Sequence, residues 1–576
     1  MKKIGDIMFY GNCSAETKQK YGGGFIWQCN LTSHYPDQGF RIPYHLYMDQ
    51  PEVLDTILIV PDNQRNFKYA TRVISDDDAL DLVEKFLETA NTLKDLGDTS
   101  ENWSVRIGWL QSLVGELWQK RGLYPGLPAV LDHLDFKEAI PYFKQQTTAG
   151  NEQDAKKALF AYLDGRTTSI AGLNLADEKL KKVSRQWRLK TGDQKRLLGE
   201  ILPRFDLRPD QLRRILSDER TANGIEASLP AIAENPYILS EQFIGDGPDD
   251  TISFSKIDHG IYPSPELGGE FMFDTTDDGH RLRALCVEQL KREEKDAFIA
   301  ASQVIHAVNR KLSFLPEWKR HQFTEQYLEV EEDILVGALT FREEDRRKYL
   351  YLKAVYEAER SIEKQIRALA NRQDISFKMP LTENHWHRYL YNEESPLAER
   401  NPKAYDEAIR GQVEVCQKIF VRPVCVLSGA AGTGKTTVIK ALIQGIEKAH
   451  GTGTSFQLLA PTGKAADRIR EATGKPAATI HSFLAQHHWL NANMTFKRSG
   501  GVKEDKFSTY IIDESSMLDL ELIAALYRSI NWASVQRLIF VGDPNQLPPI
   551  GRGRVFADLI DWLQDSDPAS VGFLKT

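Results

Sequence analysis

The chain has 576 residues, of which 41% are hydrophobic and 27% are charged. This composition excludes collagen, coiled coil and global disorder, and the length predicts roughly four domains of about 150 residues each. Because no apolar run reaches a membrane-spanning length and the start lacks a signal peptide, we expect a cytoplasmic protein without a membrane partner. The net charge of −8 argues only weakly against nucleic-acid binding, since it can hide a local basic face.

The first predicted domain, residues 1–78, is small and rich in β-structure. Short β-branched and aromatic runs bounded by turn residues occur after Gly22–Gly24 and at Thr56–Val60. The triplet Asp76–Asp78 precedes apolar residues at helical spacing, so it predicts the N-terminus of a helix rather than a metal site. The five cysteines are scattered without a C-x-x-C pair, which indicates buried reduced thiols.

Residues 79 to 383 are predicted to be mostly helical. The long amphipathic stretch 346–369 has apolar residues at helical spacing and is expected to pack against a neighbouring element. A polar segment with two prolines near its end follows and is predicted to be a linker. The predicted segments are a helical domain 79–180, a basic helical segment 181–260, a helical domain 261–383 and a linker 384–402.

One helical segment is strongly basic. Between Lys179 and Arg214 there are twelve basic and four acidic residues, a local charge of +8. Such a concentration is what binding to nucleic-acid phosphates requires. A solvated helix face is the alternative, and the sequence leaves both open.

A phosphate-binding loop follows the linker. The apolar strand Val424–Leu427 leads into Gly429–Thr436, which has the pattern G-x-x-x-x-G-K-T, and then into a helical pattern. In such loops backbone N–H groups and the helix N-terminus hold phosphates, the lysine reaches the β- and γ-phosphates, and the hydroxyl binds Mg²⁺. Lys435 and Thr436 are therefore predicted to bind ATP and Mg²⁺.

Two later strands end in polar residues that suit phosphoryl transfer. Asp513 and Glu514 follow the strand Tyr510–Ile512. Asp513 is suited to holding Mg²⁺, and Glu514 is suited to orienting and deprotonating the attacking water. Gln546 follows the strand Arg537–Val541 and can hydrogen-bond a γ-phosphate. Open α/β sheets bind ligands at the carboxyl ends of their strands.

Together these segments resemble superfamily 1 helicases of the RecD-like branch. Five segments match the family's motifs in the correct order: Ser428–Thr437 (motif I), Leu459–Arg468 (Ia), Ala478–Leu484 (Ib), Asp513–Met517 (II) and Gly542–Gly553 (III). The resemblance implies a multidomain α/β protein whose residues 403–576 form a RecA-like domain with a parallel sheet. It also implies ATP-driven movement along single-stranded DNA in the 5′-to-3′ direction.

The resemblance assigns roles to individual residues. Lys435, Glu514 and Gln546 are the expected catalytic residues, and Thr436 and Asp513 the expected Mg²⁺ ligands. The expected DNA contacts are Thr462, Lys464, Thr479 and His481. The expected nucleotide-binding residues are Gln412, which would read adenine, and Gly429, Ala430, Ala431, Gly432, Thr433, Gly434, Lys435, Thr436 and Thr437.

The segment between motifs Ib and II is a further candidate element. Ser499–Gly501 lies between short β-prone runs and predicts a hairpin turn. RecD-like enzymes carry a strand-separating pin at this point, so residues 485–508 are predicted to hold one. A disordered basic loop is the alternative.

The resemblance also sets expectations about what accompanies this domain. Upstream, Glu234–Leu239 resembles the segment that follows helix-hairpin-helix repeats in longer RecD-like proteins, but clear glycine-containing hairpins are not evident. The family motor has a second RecA-like domain with an arginine that contacts the γ-phosphate, and the sequence ends 23 residues after Gly553. We therefore expect a fragment of a longer helicase or a partner chain that supplies the second domain, with slow hydrolysis by this chain alone. A nucleotide-switched DNA-binding regulatory subunit and an RNA helicase are the alternative functions.

Overall fold

A computed structural model describes residues 42–59, 75–173, 177–247, 250–451, 455–546 and 548–574. The chain divides into two compact units. The N-terminal unit comprises residues 1–289, 300–337 and 345–348, and the C-terminal unit comprises the remainder. None of the helices within the described ranges is long and apolar enough to cross a membrane. The finer division into domains that the sequence suggests stays a prediction.

The N-terminal part of the described chain is helical. Its α-helices are α1 (Pro51–Ile57), α2 (Asp76–Asp95), α3 (Trp103–Arg121), α4 (Leu127–His133), α5 (Ala139–Thr148), α6 (Glu152–Leu163), α7 (Asp177–Arg188), α8 (Gly192–Arg196), α9 (Pro209–Leu216), α10 (Leu229–Glu234), α11 (Ile238–Gln242), α12 (Phe254–Ile261), α13 (Gly279–Arg292), α14 (Ala301–Ser313), α15 (Tyr327–Val330) and α16 (Glu332–Leu335).

Two sequence predictions near the N-terminus have different outcomes. The strand expected from Thr56 is wrong, because Thr56 and Ile57 form the last turn of α1, a helix that begins with Pro51 at a position favourable for proline. The run at residues 25–31 lies outside the described residues. The helix start at Asp76–Asp78 is confirmed, and the Ser75 hydroxyl caps α2 by accepting a hydrogen bond from the Asp78 N–H at 3.1 Å.

Asp77, in the first turn of α2, belongs to a buried ionic network. Its carboxylate accepts a hydrogen bond from the Arg121 guanidinium and lies 2.9 Å from His259 Nδ1. His259 Nε2 lies 3.6 Å from Glu84, and the His259 ring packs edge-on against Trp118. Burial would raise the pKa of Asp77, but Arg121 and His259 reverse that effect and hold the pKa well below its ordinary value. These contacts join α2, α3 and α12.

A second buried ion pair continues this network. Arg281 donates to both oxygens of Asp258, at 2.8 and 3.2 Å, and Lys319 Nζ lies 3.6 Å from the same carboxylate. Tyr237 donates its hydroxyl proton to Asp258 at 2.6 Å and stacks on Phe254. Tyr237 belongs to the segment resembling the RecD-like proteins, and here its contacts are those of a core residue.

His259 gives the N-terminal unit a pH-dependent stability. Burial and Lys319 lower the pKa of His259, but Asp77 and Glu84 outweigh them and raise it above its ordinary value of 6.5. When the folded-state pKa is raised, protonation stabilises the fold fully below the unfolded-state value of 6.5, and this stabilisation is lost as pH rises through the folded-state pKa. We expect the unfolding temperature of this unit to fall as pH rises above 6.5, and His259→Gln to flatten that decrease. An unchanged pH profile in the variant would contradict this role.

The C-terminal part of the described chain contains the predicted parallel sheet. Its helices are α17 (Lys353–Ala370), α18 (Glu383–Leu390), α19 (Pro396–Arg400), α20 (Pro402–Phe420), α21 (Lys435–His450), α22 (Gly463–Thr473), α23 (Ile480–Gln486), α24 (Leu520–Ser529) and α25 (Val555–Ser566). Its strands are β4 (Val424–Gly429), β5 (Phe456–Ala460), β6 (Ala477–Thr479), β7 (Thr509–Ile512), β8 (Arg537–Gly542) and β9 (Val571–Leu574). A separate sheet has the order β1-β3-β2, from β1 (Phe298–Ala300), β2 (Leu339–Glu344) and β3 (Arg347–Leu352).

The six-stranded sheet has the order β6-β5-β7-β8-β4-β9, and its strand pairs are parallel. Strands β4, β7 and β8 are buried along their whole length, as expected for a parallel sheet covered by helices on both faces. Hydrophobic clusters cover the sheet with α17, α24 and α25 in one cluster and α18, α20 and α21 in the other. This arrangement confirms the predicted α/β class of the C-terminal region.

The predicted linker 384–402 is wrong. Most of it forms α18 and α19, and the α18 side chains Trp386 and Leu390 are buried in the core of the C-terminal unit. Trp386 packs so closely that a Cβ on Gly445 of α21 would lie 2.6 Å from its ring. The polar residues Asn384, His387 and Arg388 lie on the exposed face of α18, which is a short amphipathic helix.

The amphipathic stretch 346–369 is a strand followed by a helix. Residues Arg347–Leu352 form β3, and the helix α17 begins only at Lys353. The expected packing is confirmed for α17, whose residues Ile362, Ile366 and Leu369 are buried against the sheet cluster.

The segment between α23 and β7 contains a small turn. An antiparallel bridge joins Leu490 and Phe496, and the turn between them is held by Asn491 and Thr495. This turn lies upstream of the hairpin turn predicted at Ser499–Gly501. There Gly500 has a φ of +85° and Gly501 packs against the Trp489 ring, and a hairpin at this point stays a prediction. The proposal that residues 485–508 form a pin stays a prediction.

Three cysteines lie within the described residues: Cys286, Cys416 and Cys425 are buried and free. Burial raises the pKa of the Cys425 thiol to about 12, so it stays protonated at neutral pH. This agrees with the expectation of buried reduced thiols, and Cys13 and Cys29 lie outside the described residues.

Candidate nucleotide and nucleic-acid site

The order of the strands brings the sequence motifs to one edge of the sheet. In parallel strands all carboxyl ends lie on the same side, where open α/β sheets bind ligands. From β6 to β4, the loops that leave this edge carry motif Ib, Ia, II, III and the phosphate-binding loop in turn. Motifs II and III thus lie between the phosphate-binding loop and the expected DNA-contacting motifs.

The phosphate-binding loop joins β4 to α21. Gly432 and Gly434 have φ values of +85° and +86°, a left-handed conformation that favours glycine. Lys435 Nζ donates to the backbone oxygens of Gly429 and Ala430, at 2.7 and 3.0 Å. The ammonium group thus lies over the loop that would hold phosphates. The loop also includes Ala431 and Thr433, and Thr436 and Thr437 follow in the first turn of α21.

Gln412, on α20, lies against this loop. Its Nε2 donates to the backbone oxygen of Thr433 at 3.2 Å, and a Cβ on Gly434 would lie only 2.5 Å from that nitrogen. Its Oε1 is buried and has no hydrogen-bond partner in the described structure. A buried amide oxygen without a donor is costly, so its position fits a ligand that supplies one, as the exocyclic amine of adenine does.

Asp513 and Glu514 follow β7 directly. Asp513 is buried, and burial and the neighbouring Glu514 raise its pKa to about 6, although Lys435 and Arg468 oppose this shift. Glu514 has a φ of +50°, and its Oε2 is buried without a hydrogen-bond partner in the described structure. A buried carboxylate beside the P-loop lysine fits a divalent cation, and an unpaired carboxylate oxygen fits a water molecule as its partner.

The loop after β8 carries the third motif. Asp543 is buried, and its backbone and carboxylate oxygens accept hydrogen bonds from the N–H groups of Gln546 and Asn545, at 3.1 Å each. Gln546 is half-buried at the same edge as the phosphate-binding loop. The structure thus brings Lys435, Asp513, Glu514 and Gln546 to adjacent strand ends.

The four expected DNA contacts lie at the ends of β5 and β6. The hydroxyls of Thr462 and Thr479 cap α22 and α23 by accepting hydrogen bonds from the N–H groups of Ala465 and Ser482. Both hydroxyls therefore already have a structural role. Lys464 is exposed, and the ring of His481 lies 5.6 Å from that of Phe496.

The basic segment 179–214 is partly neutralised. Lys182 pairs with Asp135 at 3.1 Å, and Arg214 pairs with Asp210 and Asp250 at 2.9 and 2.7 Å. Arg208 also pairs with Asp250. Its local charge is thus smaller than the sequence suggests, and phosphate binding there stays one of two alternatives.

Arg552 lies in the motif III segment, but the sequence assigned it no role of its own. Its guanidinium donates to the backbone oxygens of Leu290, Lys291 and Glu293, at 2.7, 3.2 and 2.8 Å. The N–H of Gly553 donates to the Lys295 oxygen at 2.9 Å. These bonds fix the end of the motif III loop to residues 290–299 of the same unit, a contact that only the tertiary structure reveals.

Comparison with known proteins gives a family match and partial relatives. Residues 407–567 match the family described as an AAA domain. An uncharacterized protein of Methanocaldococcus jannaschii is 27% identical over 556 residues, covering 89% of this chain and 46% of that protein. The ATP-dependent RecD2 DNA helicase of Deinococcus radiodurans is 34% identical over 142 residues, covering 25% of this chain and 18% of the helicase. The crystal structure of the Pif1 helicase from Candida albicans matches with 19% identity and a TM-score of 0.19, covering 30% of this chain and 39% of that chain.

The chain spans less than half the length of each of these two sequence relatives. The match to the helicase falls within a quarter of this chain. Residues 407–567 of the C-terminal unit are thus similar to an AAA domain, and the sequence comparisons support the resemblance of this unit to superfamily 1 DNA helicases.

Proposed function

We propose that the protein is an ATP-dependent DNA helicase or translocase of the RecD-like type, which couples MgATP hydrolysis to 5′-to-3′ movement on single-stranded DNA. One observation carries the proposal: the loops of all five motifs leave the same edge of one parallel sheet, in an order that joins the phosphate-binding loop to motifs Ia and Ib. Motifs II and III lie next to the DNA-contacting loops, so a nucleotide-dependent movement of these motifs would be transmitted directly to those loops.

In this proposal each residue at the nucleotide site has a separate role. Lys435 turns from the loop carbonyls to the phosphates, and Gln412 reads adenine through its unpaired amide oxygen. Thr436 and Asp513 hold Mg²⁺, which when bound neutralises charge on the phosphate oxygens. Glu514 accepts the proton of the attacking water, and Gln546 contacts the γ-phosphate.

At the DNA side, Thr462, Lys464, Thr479 and His481 contact the strand. The Thr462 hydroxyl accepts one hydrogen bond and still has its own proton to donate to a phosphate. The Thr479 hydroxyl already donates to the Ser482 hydroxyl at 2.9 Å and would have to exchange that partner for a phosphate. Lys464 supplies charge, and the ring of His481 supplies a surface on which a base can stack. The name of the Deinococcus radiodurans relative, an ATP-dependent DNA helicase, supports DNA as the strand.

The proposed function is tested by the nucleic acid that stimulates ATP hydrolysis. We expect single-stranded DNA to raise the turnover of the chain and RNA of the same sequence to raise it less. Equal or greater stimulation by RNA would instead indicate an RNA helicase. Binding of DNA with no stimulation would indicate a nucleotide-switched regulatory subunit.

We expect residues 1–576 by themselves to bind MgATP and to hydrolyse it slowly. In the resembled family an arginine of a second RecA-like domain contacts the γ-phosphate, and such an arginine is worth about 10³ to 10⁵ in rate. The measurement is the steady-state turnover of this polypeptide at saturating single-stranded DNA. A value on the order of 10 s⁻¹, typical of enzymes in general, would contradict the expectation.

A further inference from the structure

A pocket of about 480 Å³ lies in the C-terminal unit beside the motif III loop. Helices α17 and α24 form two of its walls, and Phe496, Arg498 and Gly551–Arg552 form others. Its volume lies within the range of small-molecule sites, and its lining combines apolar with charged side chains. None of the residues assigned above to nucleotide or Mg²⁺ binding lines it.

Basic side chains converge on this pocket. Its lining includes Lys291, Arg498, Arg528 and Arg552. Burial lowers the pKa of Arg528, and the nearby charge of Arg498 lowers it further, although Glu521 opposes this shift. The Nε–H of Arg528 is buried and has no acceptor in the described structure. A guanidinium held beside other cations with an unsatisfied donor is costly, and an anionic oxygen would supply the missing acceptor.

Acidic side chains in the same lining limit the kind of occupant. Glu357, Asp519 and Glu521 oppose the four basic residues, so the lining has a charge of only +1. Partial desolvation and Asp519 raise the pKa of Glu521, which disfavours its charged form. The three arginines of the lining oppose this shift, and Glu521 remains exposed to solvent. Such a lining suits a molecule with one anionic group and with polar and apolar parts rather than a polyanion.

Phe496 connects the pocket to the proposed DNA path. It lines the pocket, and its ring lies 5.6 Å from that of His481, tilted by 36°. His481 lies in the first turn of α23, at the sheet edge described above. An aromatic ring at this position offers a stacking surface for a base that leaves the path.

We propose that this pocket binds one phosphorylated nucleoside unit, with its phosphate at Arg528 and its base against Phe496. The proposal rests on the proposed function for the source of the unit, a nucleotide of single-stranded DNA. A free mononucleotide has the same chemistry and is the other source. The pocket would then hold one nucleotide of the strand at the side of the motor unit, next to the loop that senses ATP.

The test measures binding of fluorescent oligo(dT) to the full chain by anisotropy. Arg528→Ala should weaken binding about tenfold, as expected for loss of a charge-assisted hydrogen bond, and Arg528→Lys should restore only part of it. Arg367→Ala is the matched control, since Arg367 lies on α17, pairs with Glu363 and does not line the pocket. Glu521→Gln should tighten binding, a gain that misfolding cannot produce.

Direct binding of fluorescently labelled dTMP, measured by anisotropy in the same way, distinguishes the two sources. If oligo(dT) binding depends on Arg528, the strand is the source. If oligo(dT) does not bind but dTMP binds in an Arg528-dependent way, the pocket is supported and the proposed function fails. If Arg528→Ala and Glu521→Gln both bind each probe as the Arg367→Ala control does, the inference is overturned while the proposed function stands. It is also overturned if neither probe binds the unaltered chain.

Discussion

Replacing Glu514 by glutamine should leave MgATP binding intact and stop hydrolysis. The amide keeps the size of the side chain but cannot accept a proton from water, and a general base contributes typically about 10²- to 10⁴-fold in rate. Its Oε2 is buried without a hydrogen-bond partner in the described structure, so the substitution disrupts no contact there. Binding is measured by calorimetry and hydrolysis by phosphate release, both in the presence of single-stranded DNA.

Lys435→Ala provides the contrasting variant. Lys435 Nζ donates only to loop carbonyls of Gly429 and Ala430 among its described contacts, so its loss should spare the fold but remove nucleotide binding. The two variants therefore separate binding from chemistry. Hydrolysis at the unaltered rate in Glu514→Gln would show that another group accepts the proton.

Replacing Asp77 by alanine should destabilise the N-terminal unit by about 3–5 kcal/mol, the usual cost of removing one partner from a buried ion pair. The side chains of both Asp77 and Arg121 are fully buried, and His259 lies against the same carboxylate. The substitution would leave the buried Arg121 guanidinium and the His259 ring without their shared partner. Calorimetric unfolding measures the effect, and added MgATP identifies the transition of the C-terminal unit because ligand binding raises it.

Asp76→Ala is the matched control for Asp77→Ala. Asp76 is the neighbouring residue in the first turn of α2, and it pairs with Lys120 at 3.5 Å with 30% of each side chain exposed. Partly exposed pairs of this kind are worth about 0–1 kcal/mol. Equal destabilisation by the two substitutions would show that the buried network contributes no more than a helix-terminal charge.

The nucleotide site could be predicted from the sequence because its signals are local. The phosphate-binding loop combines a glycine pattern with a strand before it and a helix after it, and Asp513 and Glu514 directly follow an apolar strand. The order of the strands is not encoded locally, so the neighbouring positions of motifs II and III required the structure. Phe496 and Arg528, which share the pocket, are 32 residues apart in the sequence.

The wrong predictions were made from local composition or residue propensity, which packing in the folded chain overrides. Residues 384–402 were interpreted from their polar composition, although Trp386 and Leu390 have the i, i+4 spacing of a buried helix face. Thr56 and Ile57 favour strands, but in α1 Ile57 is buried in a hydrophobic cluster, so packing outweighs the local preference. The buried ionic network gave no signal because Asp77 and His259 are 182 residues apart and charged residues are expected at the surface.

The central claim is that nucleotide binding at the phosphate-binding loop controls the affinity of the protein for single-stranded DNA. The most direct test compares the affinity of the chain for oligo(dT) with and without a non-hydrolysable ATP analogue and Mg²⁺. Our account predicts at least about a fivefold difference, the lower end of usual couplings between sites, and no difference in Lys435→Ala. The same oligo(dT) affinity with and without the analogue in the unaltered chain would contradict it.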